Sequence, residues 1–154
     1  MNLRVIGARQ RIDNLLAKTK QEPLSSDDEL KAEIARLLCV LCSGFIEDSL
    51  RLMLADYSSA RSAPRVATYV STRLGDFQNP KFEKILALLQ SFDPTWRQHF
   101  EESDKAEMKA AIDSIVVNRH LIAHGRPCGI SIGTFDAYYK QVRMFIDDID
   151  MVLS

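Results

Sequence analysis

Apolar residues recur at helical spacing almost from end to end of the chain, and the residues that break helices fall in the gaps between these runs. Leu3, Ile6, Ile12, Leu15 and Leu16 lie near the i, i+3, i+4 period that gives a helix one apolar face. The period returns in Phe82, Ile85, Leu86 and Leu89, in Met108, Ile112, Ile115 and Ile122, and in Tyr138, Val142, Phe145, Ile146, Ile149 and Val152. Gly and Pro number only six and five in 154 residues, and both are unfavourable inside helices. No stretch alternates apolar and polar residues as a half-buried strand does. The pattern predicts an all-α, up-and-down bundle of five or six helices, filling residues 1–154 as a single domain.

The breakers place the boundaries. Glu22-Pro23-Leu24 ends a first helix over roughly 2–20. Ser26-Asp27-Asp28-Glu29 reads as a capping box, with Ser26 as the cap. It opens a long helix to about Asp56, whose middle, Leu37 to Ile46, is apolar on nearly every side and is expected to be buried. Gly44 beside Ser43 would allow a close helix crossing there. Pro64 lies near the start of a third helix, 62–74, which Gly75 and Asn79-Pro80 separate from a fourth, 81–91. Asp93-Pro94 opens a short irregular or helical stretch through Trp96 and Phe100. Asp104 with Glu107 starts a helix to about Ala123, which Gly125 and Pro127 stop. Residues 126–133 form a loop, and Thr134 can cap the last helix.

Composition narrows the function classes. A hydrophobic share of 46% with 27% charged residues supports a core that needs no disulfide or metal. A net charge of −1 is far from the basic excess of proteins that coat nucleic acid, so any RNA contact must rest on a local patch. No apolar run approaches a membrane span, and the first residues lack the apolar core of a signal peptide. Three cysteines make an odd number with no framework spacing, so a reducing cytoplasm is expected. Cys39 and Cys42 form a Cys-x-x-Cys without the preceding strand of a redox motif, and read as buried structural thiols. Tyr138 and Tyr139 read as packing residues that could otherwise stack RNA bases. Asp147, Asp148 and Asp150 read as a solvated face.

The chemistry concentrates in one string, Asn118-Arg119-His120-Leu121-Ile122-Ala123-His124-Gly125. Arg119 falls on the stripe of Met108, Ile112, Ile115 and Ile122, an expensive place unless the guanidinium finds a partner. His120 and His124 are four apart and share a face. Bland readings exist for each. Arg119 could be a structural residue paired with Glu47 or Asp113. His124 could be a helix C-cap meeting the dipole. His120, His124 and Cys128 could in principle hold Zn²⁺, but Gly125 and Pro127 intervene and no carboxylate lies in the segment. No metal and no cofactor is therefore expected.

The string resembles the signature of the HEPN superfamily: an Arg, a polar neighbour, then a His four to six residues after the Arg. The Gly44-Phe45-Ile46-Glu47 helix resembles the bacterial toxin- and defence-associated branch. The resemblance implies a homodimer with two motifs facing across the two-fold axis, and RNA cleavage without metal by 2′-hydroxyl attack. It implies His124 as general acid or base, Arg119 as stabiliser of the phosphate in the transition state, and His120 as an orienting or phosphate-contacting residue. Asn118 and Arg126 are candidate RNA contacts. The partners it implies are an RNA substrate, a second copy of the chain, and an antitoxin or other defence-system protein. The alternative is a non-catalytic HEPN module that binds RNA, a nucleotide or a protein partner. Some toxins of this kind carry a Tyr two residues after the motif His, where a partner enzyme silences them; Arg126 stands there in this chain, which argues against that route.

Overall fold

The computed structural model describes residues 1–21, 26–101 and 105–154. Among them are seven helices and no strand: α1 Leu3–Thr19, α2 Asp28–Arg61, α3 Pro64–Leu74, α4 Phe82–Phe92, α5 Pro94–Phe100, α6 Ala106–Ala123 and α7 Ile132–Leu153. The expected break at Glu22-Pro23-Leu24 and the expected start at Asp104 fall outside the described residues. The helix beyond the expected five or six is α5. Asp93 caps it by accepting from the Thr95 N–H at 2.8 Å, Pro94 supplies the first-turn φ, and Trp96 and Phe100 anchor it in the core.

Three expected boundaries move, each for a local reason. The cap of α2 is Asp27, not Ser26; its carboxylate accepts from the Leu30 N–H at 2.9 Å. α2 runs past Asp56 to Arg61, because Ser58 is buried and Tyr57 packs edge-on against Trp96 at 5.1 Å. Ser131 rather than Thr134 caps α7, its hydroxyl accepting from the Thr134 N–H at 3.1 Å, which shortens the preceding loop.

The long helices set the frame. α1 runs antiparallel to α7, with Met1 against Asp150, Arg9 against Asp147 and Lys20 against Asp136. The Asp147, Asp148 and Asp150 carboxylates are therefore ion-paired, with Arg9, Lys105 and the Met1 ammonium. Leu38, Cys42, Ile46, Leu50 and Leu54 of α2 meet Ile112 and Ile115 of α6 and Phe135, Tyr139, Val142, Ile146 and Ile149 of α7 in one buried core. Each such side chain contributes about 1.5–3 kcal/mol when fully buried. Phe145 extends that core to Phe82 of α4 and Phe100 of α5. α4 has no cap from its own Lys81; Asp113 of α6 supplies it, accepting from the Phe82 N–H at 2.7 Å. Tyr139 lies in the core with its hydroxyl 2.8 Å from Asp13, and Tyr138 is half-buried against it.

Two expectations for α2 do not hold. Gly44 is exposed, and a Cβ added there would meet nothing within 4 Å, so no helix crosses closely at that point. Leu37 and Val40 are 49% and 37% exposed, so this stretch of α2 keeps one apolar face uncovered. Among the described residues no helix is long and apolar enough to cross a membrane.

Candidate functional site

The core stripe of α6 ends at Val116. Met108, Ala111, Ile112, Ile115 and Val116 are buried, whereas no residue from Val117 to Ala123 is. In the last two turns of α6 Leu121 and Ile122 still pack against the core but are only partly buried, and Asn118, Arg119 and His120 lie in partly open surroundings. Their end is a Schellman turn. The Gly125 N–H donates to the Ile122 carbonyl and the Arg126 N–H to the Leu121 carbonyl, at 3.1 and 2.9 Å. Gly125 takes φ +62°, the left-handed conformation this closure requires and glycine adopts without strain. His124 is the C-cap residue, its backbone N–H bonded to the His120 carbonyl at 3.1 Å.

The structure brings His120 and His124 together. Their rings lie 4.3 Å apart, centre to centre, with the planes tilted by 56°. Both residues are exposed. Arg119 is half-buried, and among the described residues its guanidinium meets no carboxylate and no hydrogen-bond acceptor. The two acids considered as structural partners are engaged elsewhere: Glu47 with Arg51 and the Asn79 N–H, Asp113 with the Phe82 N–H. At about 100° per residue, Arg119 projects about 100° from His120 and about 140° from His124. One chain therefore presents its two imidazoles on one face and its guanidinium on the next.

Two thiols that the sequence pattern did not single out for this purpose brace the segment. Cys128 donates to the Asn118 side-chain oxygen at 3.2 Å, while the Asn118 amide donates to the Ser114 carbonyl at 2.8 Å. Asn118 thus ties the loop after the helix back onto α6. Arg36, paired with Glu33 at 2.7 Å, reaches the Cys128 carbonyl at 3.4 Å. Cys128 points to Asn118 and is buried, and among the described residues no three His, Cys, Asp or Glu side chains converge on a point. On α2, the Cys39 thiol donates to the Ile115 carbonyl at 3.4 Å, and the Arg119 backbone N–H meets its sulfur. Burial first, and Cys128 second, push the Cys39 thiol up to about 12. Burial also holds Cys42 well above its ordinary value. Both are packing thiols rather than nucleophiles. Nothing in the spacing of Arg36 and Cys39 marks them as neighbours of the motif; only the fold does.

Beside the end of α6 lies a groove of about 580 Å³, lined by Glu33, Arg36, Leu37, Val40, Ile122, Gly125, Arg126 and Pro127. Its α2 wall is the uncovered Leu37–Val40 face, and Val117 on α6 is 46% exposed. Arg126 is exposed at the rim. The motif is thus bordered by apolar surface that a lone chain leaves in water.

No curated protein and no solved structure matches the chain. A family model described as RiboL-PSP-HEPN matches residues 8–154. That span takes in most of α1, every later helix, and the whole Asn118–Arg126 segment. The helical architecture and the extent of this match lead to one assignment: the chain belongs to the RiboL-PSP-HEPN family, within the HEPN superfamily.

Proposed function

We propose that this HEPN domain is a metal-independent endoribonuclease, active as a C2 homodimer in the cytoplasm, and that it serves as a toxin–antitoxin or phage-defence effector. One observation carries the reading. An arginine without a carboxylate partner and two touching histidines occupy a helix end that the core leaves uncovered, bordered by exposed Leu37, Val40 and Val117. A guanidinium that serves only stability is ordinarily paired where it is partly buried. Histidine serves as proton donor or acceptor near neutral pH.

The chemistry needs two proton transfers. A base removes the proton of an RNA 2′-hydroxyl, whose oxygen attacks the adjoining phosphorus. The P–O5′ bond breaks, and an acid protonates the leaving 5′ oxygen. The products are a 2′,3′-cyclic phosphate and a 5′-hydroxyl. His124 of each chain supplies one of these roles. His120 orients it by ring contact, and Arg119 offers two donors to the phosphate as negative charge accumulates. Arg126 contacts the RNA backbone, and Asn118 holds the loop that carries Arg126. The offset between Arg119 and the histidine face is what a second chain would close, since a two-fold axis at the α2–α6 groove presents one chain's guanidinium to the other chain's imidazoles.

The test is digestion of unstructured RNA by purified protein in excess chelator. Cleavage should persist, the products should carry the termini named above, and DNA or RNA with a single 2′-deoxy group at the cleaved position should stay intact. Products with 5′-phosphate ends, or activity lost in chelator, would overturn the reading. The second reading, a non-catalytic module that binds a partner such as an antitoxin, is favoured by the breadth of the apolar groove beside His124. It predicts no cleavage at any RNA length.

A further inference from the structure

At the opposite end of α2 is a second groove whose chemistry the proposed cleavage does not use. α3 is amphipathic but buries only Leu74. Val66 and Tyr69 are 51% and 60% exposed, and both line a groove of about 500 Å³ closed by the last turns of α2 and by Phe92 of α4. Two arginine–tyrosine pairs line it as well. The Arg61 guanidinium lies 4.2 Å from the centre of the Tyr57 ring, and that of Arg73 5.2 Å from the centre of the Tyr69 ring. Tyr57 is fixed edge-on by Trp96 and Phe92. Arg65, Tyr69 and Arg73 follow at four-residue steps, so they share one face of α3.

The charge here is one-sided. Among the described residues no Asp or Glu lines the groove, although the chain as a whole carries 21 acidic residues against 20 Lys and Arg. Arg9, Arg36, Arg51, Arg97 and Arg143 each meet a carboxylate. Among the described residues Arg65 and Arg73 meet none within ion-pair distance. Arg61 donates to the Leu153 carbonyl and to a main-chain oxygen of Ser154, and Arg73 interacts first with the Tyr69 side chain and more weakly, through space, with Asp76.

Aromatic faces interleaved with unmatched guanidinium groups fit a ligand with flat π-surfaces and regular negative charge. Single-stranded nucleic acid has both, whereas in a duplex the base faces are already stacked. An apolar protein helix would cover Val66 and Tyr69 but leave the arginines unmatched. We infer that this groove is a second RNA-binding site, which stacks an unpaired base on the exposed Tyr69 ring while Arg65 and Arg73 hold the adjoining phosphates. It rests on the ribonuclease reading in one respect, that the RNA held here is the strand being cut. From Val40 to Tyr57 α2 advances about 25 Å, so only a strand long enough to cover that distance engages both ends.

The experiment uses full-length His124→Ala protein, which keeps the RNA intact, and follows fluorescence anisotropy of a labelled unstructured RNA of about 16 nucleotides. Adding Tyr69→Ala, whose ring is mostly exposed, should weaken binding about 5–100-fold, the usual contribution of one stacked base. Adding Arg65→Gln and Arg73→Gln together should weaken it and reduce the slope of log K against log salt by about 1.4. A trinucleotide, too short to span both ends, should show the same loss on Tyr69→Ala where it occupies the groove. Unchanged affinity in both variant sets overturns the inference. So does an equally strong interaction with duplex RNA, or with AMP alone. Loss of binding in the variants, alongside a wild-type protein that cuts no RNA, keeps the groove and ends the nuclease reading. Normal cutting with unaffected binding does the reverse.

Discussion

Arg119 stands where a helix would ordinarily bury a leucine. It continues the stripe of Met108, Ile112 and Ile115 at about 100° per residue, but full burial along α6 ends at Val116, so the guanidinium carries no full burial cost and needs no structural counter-ion. Removing it should therefore hurt function much more than stability. Arg119→Ala is expected to lower cleavage about 10²–10³-fold, as for loss of a transition-state donor, and His124→Ala about 10²–10⁴-fold, as for loss of a general acid or base. Stability should change by less than about 0.5 kcal/mol for the exposed His124 and by less than about 1 kcal/mol for the half-buried, unpaired Arg119. Single-turnover rates with parallel urea unfolding check both halves; a His124→Ala protein that cuts like the wild type ends the assignment. Gly125 behaves oppositely. Gly125→Ala places a Cβ at φ +62° and should cost about 1–2 kcal/mol, readable in the same unfolding series.

The buried thiols make a pH prediction of known sign. The Cys39 thiol rises from 9.0 to about 12 on folding, so the folded state holds its proton more tightly than the unfolded state. Its contribution to stability is complete below about pH 9 and is lost as pH rises toward 12. Cys42 and Tyr139 shift in the same direction, both chiefly through burial. Urea midpoints should therefore fall between pH 8 and 10.5, and in the native protein at pH 8 neither Cys39 nor Cys42 should react with a thiol reagent until the chain unfolds. Prompt native-state labelling of either would show that the α2–α6 contact opens readily.

At the scale of elements, the uncovered strip of α2 and α6 is the surface that the proposed second chain would cover. Leu37 and Val40 are about half and a third exposed, so Leu37→Glu with Val40→Glu disturbs little of the folded monomer but places charge in the proposed seam. Sedimentation should then report a monomer, with unchanged helicity and lost cleavage; a persisting dimer would move the interface elsewhere. The strip also shows what the sequence could convey. Helix type and all the helices but the short α5 were legible because apolar spacing and scarce breakers are local signals. The α6 end was legible too, because Gly125 and Pro127 dictate how it closes. Side-chain exposure along α2 was not, since Leu37, Leu38, Val40 and Leu41 look alike in sequence and differ only in which neighbours the bundle supplies. The bracing of the Arg119 backbone by Cys39 likewise joins residues far apart in the chain. Periodicity contains nothing of that, and caps such as Asp27 and Ser131 were displaced by only a residue or a few.

For the whole molecule, the decisive question is whether one chain or two makes a site. Each chain holds one motif His124, while the proposed reaction needs an acid and a base. His120 touches His124 within a chain, so a single chain could in principle supply both groups, and the offset of Arg119 is the argument that it does not. A mixed dimer separates the possibilities. Wild-type chains and His124→Ala chains carrying different tags are combined, and dimers holding one of each are purified through both tags. If each chain is a complete site, the mixed dimer retains half the wild-type rate, because one of two independent sites is untouched. If the two His124 side chains are the acid and base of one composite site, every mixed dimer lacks one of them, and the rate should fall by about 10²–10⁴-fold, as in the doubly substituted protein's first step of loss. Chain exchange would regenerate wild-type dimers and imitate partial activity, so the rate is read soon after purification and again after prolonged incubation; growth between the readings measures exchange. A mixed dimer that starts at half activity, with no growth, would assign acid and base to His120 and His124 of one chain and leave the two-fold axis with a purely structural role.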